Sequence, residues 1–477
     1  MPSEKTIQTN EVVFETGQKV GELAQQYFVD IKIVKDSENK REMLEETERL
    51  MSEKAKAIAE ASFSYDGNFC SVDILKRLDD DTFEIIEVKS SSGDEEQDKK
   101  IKKIYLDDLA YQYYVLTKLG IKVTKTTLML LNKNYVRQGE LNIKELFVLT
   151  NCTNDTLLRQ EEIATKIAMI KKVASADTEP TNCIGDHCNK PYECAYKTYC
   201  WRNLPENNIF EIGWRTTAKV KDAAYQNDHI TFNDVLVNNI KLNEKAKRQV
   251  ETTIHDLPPH IDKNGINEFL NKLSYPVYHI DFEYYGQAVP EWNGIRPYQS
   301  IMFQYSIHIE HEDGTLVHKE YLAPEGIDPM REFAEKLCAH VPKDACVTGY
   351  SAGTAEKPRL KNLAEMFPDL AEHLLAIHDN MIDLAEPFAN GHYYQKEMGG
   401  SFSIKKVLPA LLPNNSELDY NALRISNGGD AMNIYANLHN HEPASERKQI
   451  REDLLKYCYL DTLAMVRVHQ KLREFVK

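Results

Sequence analysis

The chain has 477 residues, a length for which roughly 150 residues per domain suggests about three domains. Hydrophobic residues make up 42%, charged residues 28% and aromatic residues 9%, which excludes wholesale disorder and collagen-like structure. The formal net charge of −16 disfavours indiscriminate binding to phosphate polymers, although clustered carboxylates that hold a divalent metal are compatible with nucleic-acid enzymes. The chain shows neither an apolar run of membrane-spanning length nor a signal peptide, so we expect a cytoplasmic protein without membrane contact.

The first third of the chain is predicted to form helices followed by strands. Helical periodicity marks GQKVGELAQQYF and REMLEETERLMSEKAKAIAEA, whereas FCSVDILKRL and TFEIIEVKS are apolar and β-prone. A charged helix through KKIKKIYLDDLAYQYYVLTKLG should end at Gly120, and VTKTTLMLLN should form the next strand.

Two of these strands carry the first candidate site. Glu87 and Lys89 are two residues apart and leave the same face of their strand, where Asp73 of the neighbouring strand can join them. Two carboxylates can bind a divalent cation, which lowers the pKa of a bound water, and a lysine can orient that water. Gln112, on the following helix, can position the substrate or the lysine. The alternative for an isolated ExK is a surface hairpin with ordinary charges.

This order of Asp, ExK and a Gln-bearing helix resembles the PD-(D/E)XK nuclease superfamily, particularly its RecB-like branch. The resemblance covers about residues 10–200 and predicts a nuclease domain over residues 1–205. It implies that Asp73 and Glu87 bind Mg²⁺ or Mn²⁺ and that Lys89 is catalytic. Glu22 falls where that branch often carries an additional metal-side acid or histidine.

A cysteine-rich segment, CIGDHCNKPYECAYKTYCW, ends this first part of the chain. Its four thiols lie within eighteen residues, at Cys183, Cys188, Cys194 and Cys200. Such crowding in a reducing compartment indicates an iron–sulfur cluster or a zinc ion, and packed free thiols are the third alternative. The nearby aromatic residues could shield a cluster from water.

This segment resembles the C-terminal cysteine motif of RecB-like nucleases that hold a [4Fe–4S] cluster. In those proteins three cysteines lie C-terminal to the nuclease core and a fourth precedes it. The resemblance assigns the three positions to Cys188, Cys194 and Cys200. Because the first cysteine of this chain is Cys70, either Cys183 acts as the fourth ligand, or the start is truncated and the cluster is lost.

The remainder of the chain is predicted as a helical connector over residues 206–272 and an α/β domain over residues 273–477. YPVYHIDFEYY should form a strand, and IMFQYSIHIEHEDGTLVHKEYLA should form a hairpin around Asp313 and Gly314. Helices alternating with short strands follow, and the chain ends on the long helix ASERKQIREDLLKYCYLDTLAMVRVHQKLREFV. This order implies a single α/β sheet.

The second candidate site combines the first strand and the last helix of this domain. Asp281 and Glu283 share one strand face, and Tyr457 and Asp461 are four residues apart on the helix. A strand DxE followed by a helical YxxxD resembles the DEDD 3′–5′ exonucleases, which have an RNase H-like fold. The resemblance implies four carboxylates around two metal ions, with the tyrosine orienting water. The alternative is that the strand aspartate only makes ordinary hydrogen bonds and that the helix acid is only exposed to solvent.

The third acid of that pattern should follow the fourth strand, which points to Glu356 in SAGTAEKPRL. The exonucleases have aspartate there in a different context, so Asp383 in HDNMIDLAEPF is the reserve candidate. Residues 275–475, which include GGSFSIKKVLPALL, also resemble a bacterial domain family of unknown function that occurs joined to an N-terminal RecB-like nuclease domain. Lys405 in that segment could approach a phosphate backbone.

Together these patterns predict a protein with two nuclease domains. Both would hydrolyse phosphodiesters with Mg²⁺ or Mn²⁺. DNA is favoured over RNA, and single-stranded or end-bearing DNA in repair, recombination or phage defence is the expected context. Two alternatives stay open, namely a nucleic-acid-binding or assembly module with decayed active sites and a zinc-thiolate structural protein.

Overall fold

The structure is a computed structural model of the chain. It describes residues 4–79, 81–93, 102–180, 184–413, 418, 425, 427–440 and 443–477. The chain divides into two compact units. The first comprises Met1–Asn182 and Gly286–Gln299, and the second comprises Cys183–Tyr285 and Ser300–Lys477.

The first unit is built around a six-stranded mixed sheet with strand order β1-β2-β3-β4-β5-β6. The strands β2, β3 and β4 are antiparallel, whereas β4 and β5 are parallel and are connected by the helix α3. The strands are β1 (Lys32–Ile33), β2 (Ala57–Tyr65), β3 (Asn68–Arg77), β4 (Thr82–Gly93), β5 (Lys122–Asn132) and β6 (Phe147–Asn151). The helices are α1 (Glu4–Gln25), α2 (Lys40–Ser52), α3 (Lys103–Lys118), α4 (Ile143–Leu146), α5 (Thr153–Leu158) and α6 (Gln160–Ala174).

Successive side chains of β3 and β4 point to opposite faces of the sheet and so belong to two separate hydrophobic clusters. Ile74 and Ile86 belong to the buried cluster that contains Val20 of α1. Leu75 and Ile85, the next residues along these strands, belong to the cluster formed with α2 and α3. Because side chains alternate across a strand, Asp73 and Glu87 lie on the α3 side of the sheet.

The second unit contains a five-stranded sheet with strand order β10-β9-β8-β11-β12. β8, β9 and β10 are antiparallel, and β11 and β12 continue the sheet in parallel with β8. The strands of this unit are β7 (His260–Ile261), β8 (Val277–Tyr285), β9 (Ile301–Glu310), β10 (Leu316–Leu322), β11 (Cys346–Gly349), β12 (Met381–Asp383) and β13 (Tyr393–Tyr394). Both units are therefore of the mixed α/β class that the sequence predicts.

The second unit contains twelve α-helices in the part of the chain that the structure describes. They are α7 (Lys197–Cys200), α8 (Ala218–Gln226), α9 (Phe232–Val237), α10 (Glu244–Ile254), α11 (Lys263–Leu270), α12 (Met330–His340), α13 (Glu356–Met366), α14 (Ala371–Asn380), α15 (Glu386–Ala389), α16 (Ile404–Leu411), α17 (Gly428–Ala436) and α18 (Ala444–Val476). Phe232, Val250 and Phe269, from the predicted connector, share one buried core with Leu463 and Val468 of α18.

The last helix, α18, packs across β8 and β9. Its 33 residues would be long enough to cross a bilayer, but its sequence is highly charged. Within the described ranges, no helix combines the length and the apolar character that a membrane span requires.

Candidate functional site

Three carboxylates from β8 and α18 converge in the second unit. Asp281 and Glu283 leave the same face of β8, and one carboxylate oxygen each of Asp281, Glu283 and Asp461 lies within 4.8 Å of the others. The β8–β9 register shifts immediately after Glu283, an irregularity that is frequent beside functional sites because it re-aims side chains. The structure thus brings together the DxE strand and the helical aspartate of the sequence pattern.

Glu356 occupies the first position of α13, close to these acids. Its side chain is only 2% exposed, and its Oε2 atom has no hydrogen-bond partner. Glu356 also raises the pKa values of Asp281 and Glu283 through its charge. It does not belong to the 4.8 Å group, so it is a nearby fourth carboxylate and not part of the tight cluster.

Burial and mutual repulsion alter the protonation of these carboxyl groups. Burial and then Asp461, Glu283 and Glu356 raise the pKa of Asp281. Burial, Asp461 and Glu356 raise the pKa of Glu283 to about 8, although Lys405 opposes this shift. Burial is also the largest cause that raises the pKa of Glu356 to about 8. Positive charge placed among these groups would relieve the repulsion, and a divalent cation supplies it.

Two neighbours in the motif YCYLD contact the acids directly. Tyr457 is buried and hydrogen-bonds to Asp461, and burial together with the surrounding carboxylates raises the pKa of its hydroxyl well above the usual range. The thiol of Cys458 lies 3.6 Å from Asp281 Oδ2 and 3.8 Å from the Asp281 carbonyl oxygen. The sequence interpretation included Tyr457 but missed Cys458, because a buried cysteine resembles an ordinary core residue.

Asp383, the reserve candidate, ends β12 and binds backbone groups. Its Oδ1 atom accepts hydrogen bonds from the N–H groups of Ser351 at 2.8 Å and Ala385 at 2.9 Å. Asp383 therefore ties the turn after its own strand to the loop that leads into α13. This geometry gives it a role in holding the loop before Glu356.

Two glycines lie beside the acids, and of the two only Gly349 is too close to its neighbours for a Cβ atom. A Cβ atom on Gly428, the first residue of α17, would lie 3.5 Å from Glu283 Oε2. A Cβ atom on Gly349, at the end of β11, would lie 3.1 Å from Glu356 Oε2 and 2.9 Å from the Ala352 Cβ atom. The sequence interpretation assigned no site role to either glycine, because a single glycine gives no signal of what it approaches.

Gly349→Ala is expected to lower the free energy of unfolding by about 1–3 kcal/mol, because the added methyl group has no space beside Ala352 and Glu356. Urea unfolding followed by circular dichroism measures this loss. Gly353→Ala is the matched control, since a Cβ atom there meets nothing within 4 Å. Equal losses in the two variants would contradict the steric explanation.

The first candidate site lies where the ladder between β3 and β4 ends. The last paired residues are Ile74 and Ile86. In the next position the Val88 N–H donates to Asp73 Oδ2 at 2.6 Å, so the carboxylate takes the place of a strand carbonyl. Asp73 and Glu87 thus lie near each other, and burial followed by the charge of Glu87 raises the pKa of Asp73.

Both oxygens of Glu87 are engaged. Lys89 Nζ lies 2.6 Å from Glu87 Oε1, and Gln112 Nε2 donates to Glu87 Oε2 at 2.6 Å. Lys89 also lies 2.7 Å from Asp108 of α3. Although burial lowers the pKa of Lys89, the two acids outweigh it and raise the pKa overall, so the ammonium stays charged.

Glu60 is a third acid near this pair that the sequence interpretation missed. It lies on β2 between the paired positions Ala59↔Ile74 and Ala61↔Val72, which places it opposite Asp73. Its φ angle of 57° is left-handed, and this costs a residue with a side chain about 1–2 kcal/mol. Burial and then Glu87 raise its pKa.

Glu22 is an exposed residue of α1. Its neighbours Val20 and Ala24 pack with Ile74 and Ile86, on the sheet face opposite to Asp73 and Glu87. The structure therefore does not bring Glu22 to the site formed by Asp73, Glu87 and Lys89, which we call the acid–lysine site.

The thiols of the cysteine-rich segment do not form a group of metal ligands in the part of the chain that the structure describes. Cys183 lies outside the described residues. Cys188 is buried, whereas Cys194 and Cys200 are exposed, and the Cys194 N–H donates to the Cys188 carbonyl at 2.8 Å. Among the described residues, two groups of three ligand atoms lie within 4.8 Å of one another, and neither group contains a cysteine.

Comparison with known proteins gives one partial match. A family model described as Domain of unknown function (DUF2779) matches residues 278–403. This range contains Asp281, Glu283, Glu356 and Asp383 but ends before Asp461. The expected similarity to a domain family of unknown function is confirmed over these residues, and the RecB-like and iron–sulfur resemblances stay predictions. No curated protein and no solved structure matches the chain.

Proposed function

We propose that this protein is a divalent-metal-dependent nuclease whose principal site is formed by Asp281, Glu283 and Asp461. The observation that carries this proposal is the approach of their oxygens to within 4.8 Å of one another. Carboxylate oxygens are the ligands that Mg²⁺ and Mn²⁺ prefer. Such an ion, when bound, supplies an activated water and stabilises charge on a phosphate.

The surrounding residues support hydrolysis at this position. Asp461 is hydrogen-bonded to Tyr457, whose raised pKa keeps the hydroxyl protonated, so it can orient a water beside the acids. Lys405 lowers the pKa of Glu283 through its charge and is therefore near enough to attract a phosphate. The buried Glu356 provides the fourth carboxylate of the DEDD pattern. A three-stranded antiparallel sheet continued by two parallel strands supports the RNase H-like interpretation.

We assign the acid–lysine site on β3 and β4 to a second hydrolytic centre of the PD-(D/E)XK type. Asp73, Glu87 and Lys89 lie together there as the RecB-like resemblance implies, and Gln112 holds Glu87. One observation favours the alternative of a nucleic-acid-binding module for this unit. Lys89 and Gln112 already engage both oxygens of Glu87, so metal binding has to displace at least one of them.

An iron–sulfur or zinc site at Cys188, Cys194 and Cys200 rests on the sequence spacing alone. Anaerobically purified protein distinguishes the two metals. A [4Fe–4S] cluster gives a brown solution, whereas bound zinc leaves the solution colourless.

The nuclease proposal predicts metal-dependent loss of end-labelled single-stranded DNA. We expect the full chain to degrade it with Mn²⁺ or Mg²⁺ and not with EDTA, because the carboxylates alone cannot activate water. Lys89→Ala should leave the activity of the Asp281 site intact and so shows which centre acts on a given substrate. Absence of cleavage of DNA and RNA with both metals, by folded protein, would support the binding-module alternative.

A further inference from the structure

A second group of possible metal ligands lies between the same strand and helix. His279 on β8, Glu310 at the end of β9 and His469 on α18 are 0%, 3% and 1% exposed, respectively. Their ligand atoms lie within 4.8 Å of one another. His279 Nε2 is 3.1 Å and His469 Nδ1 is 2.6 Å from the same oxygen, Glu310 Oε2.

Two of the three ligands have a partner for the atom that faces away from this centre, whereas His469 Nε2 is buried without a hydrogen-bond partner. Thr348 Oγ1 lies 2.7 Å from His279 Nδ1, and Gln470 Nε2 donates to Glu310 Oε1 at 3.0 Å. Ligating histidines and carboxylates in metal sites are usually held in this way, because the outer hydrogen bond fixes the tautomer and the direction of the ligand. The hydroxyl of Thr348 can accept the Nδ1 proton of His279, which leaves the Nε2 lone pair directed at Glu310.

The negative charge of Glu310 within this set of ligands also favours a bound cation. Glu310 is buried, and its Oε2 atom faces one nitrogen of each imidazole. A buried carboxylate without a compensating positive charge is costly. Either a proton on an imidazole or a metal ion must neutralise it.

We propose that His279 Nε2, Glu310 Oε2 and His469 Nδ1 bind a transition-metal dication of the zinc class. Two imidazoles and one carboxylate are an established zinc ligand set, whereas Mg²⁺ and Ca²⁺ prefer oxygen ligands. This site therefore differs in chemistry from the all-oxygen group at Asp281, and it does not depend on the proposed nuclease function.

The position of the ion gives it a structural role beside the acids. His279 precedes Asp281 by two residues on the same face of β8, and His469 follows Asp461 by about two helical turns, or about 12 Å. An ion that joins β8, β9 and α18 holds the helix in its register against the strand. It thereby positions Asp461 relative to Asp281.

Metal analysis of the full chain tests this proposal. The protein is purified without a polyhistidine tag in an Asp281→Asn background, which weakens binding at the cluster of Asp281, Glu283 and Asp461, and is equilibrated with a molar excess of zinc before removal of the free ion. We expect His469→Gln to lose one zinc ion per chain relative to its parent. His255→Gln, which changes an exposed histidine after α10, should retain it. Thiol-bound zinc is common to all three proteins and cancels in the difference.

A milder variant keeps the test decisive if His469→Gln does not fold. Thr348→Val removes only the outer hydroxyl and should weaken zinc affinity about 10- to 100-fold in a chelator competition. Cobalt bound at the site should give visible bands of the tetrahedral ion without thiolate charge transfer. Equal zinc content in His469→Gln and its parent, or unchanged affinity in folded Thr348→Val, would overturn the proposal and leave a protonated imidazole as the neutralising charge.

Discussion

Asp281→Asn is expected to lower the rate of Mn²⁺-dependent DNA hydrolysis by about 10³-fold or more, because loss of a metal-binding carboxylate removes several kcal/mol of transition-state stabilisation. Asparagine has nearly the same shape as aspartate, so the position beside Cys458 is kept while the charge is removed. Single-turnover kinetics on an end-labelled strand with saturating protein measures the chemical step directly.

The control for this loss is Asp344→Asn, which neutralises an exposed acid two residues before β11. We expect it to cleave at the rate of the unaltered protein. Circular dichroism must show that both variants are folded. If Asp281→Asn retains full activity while Lys89→Ala abolishes it, hydrolysis belongs to the acid–lysine site, and the assignment of the principal site is wrong.

Without metal, the free energy of unfolding is expected to fall as the pH rises from about 4.5 to about 8, because Glu283 ionises beside Asp281 and Asp461. Glu283 has a pKa of about 8 in the folded chain, well above its ordinary value. A carboxyl group with a raised folded-state pKa stabilises the fold while it is protonated, and this contribution disappears as it ionises. For Glu283 the loss is of the order of 4 kcal/mol. A divalent cation should reverse it, because the ion binds the deprotonated group.

Urea unfolding at about pH 5 and about pH 8, with EDTA or with Mn²⁺, measures this effect. Glu283→Gln is the matched variant, since its amide cannot ionise, and other titrating groups act equally in both proteins. The unaltered chain should therefore lose stability relative to Glu283→Gln as the pH rises with EDTA, and regain it with Mn²⁺. Parallel pH profiles for the two proteins would show that Glu283 ionises without strain.

Most regular elements of the fold follow from local sequence patterns, but the helix predicted over REMLEETERLMSEKAKAIAEA is wrong in its last part, since α2 ends at Ser52 and β2 begins at Ala57. The apolar strand YPVYHIDFEYY is β8, and the long C-terminal periodicity is α18, because period-2 and helical patterns over many residues identify such elements. Gly120, expected to stop the charged helix, has a φ angle of 82° two residues after α3. The inclusion of residues 206–272 in the core with α18 was not predictable, because a helix pattern shows that a face is buried but not which partner covers it.

The candidate site was predictable to the extent that spacing places residues on one face. Asp281 with Glu283, and Tyr457 with Asp461, share faces by strand and helix geometry, and their order suggested that the pairs meet. Glu60 was missed because its segment was predicted as a helix, whereas the structure places it on β2. His279, Glu310 and His469 were missed because each stands alone in the sequence and resembles an ordinary core or surface residue.

The pairing of β8 with α18 also determines when the site can exist during folding. Cys458 and Asp281 are 177 residues apart in the chain, and Glu310 and His469 are 159 residues apart. Such distant contacts form only after a large loss of chain entropy, which delays them relative to local hairpins and helices. A refolding chain therefore regains most of its secondary structure before the groups on β8 and α18 gain affinity for cations, and cations bound there stabilise the finished unit without guiding its early assembly.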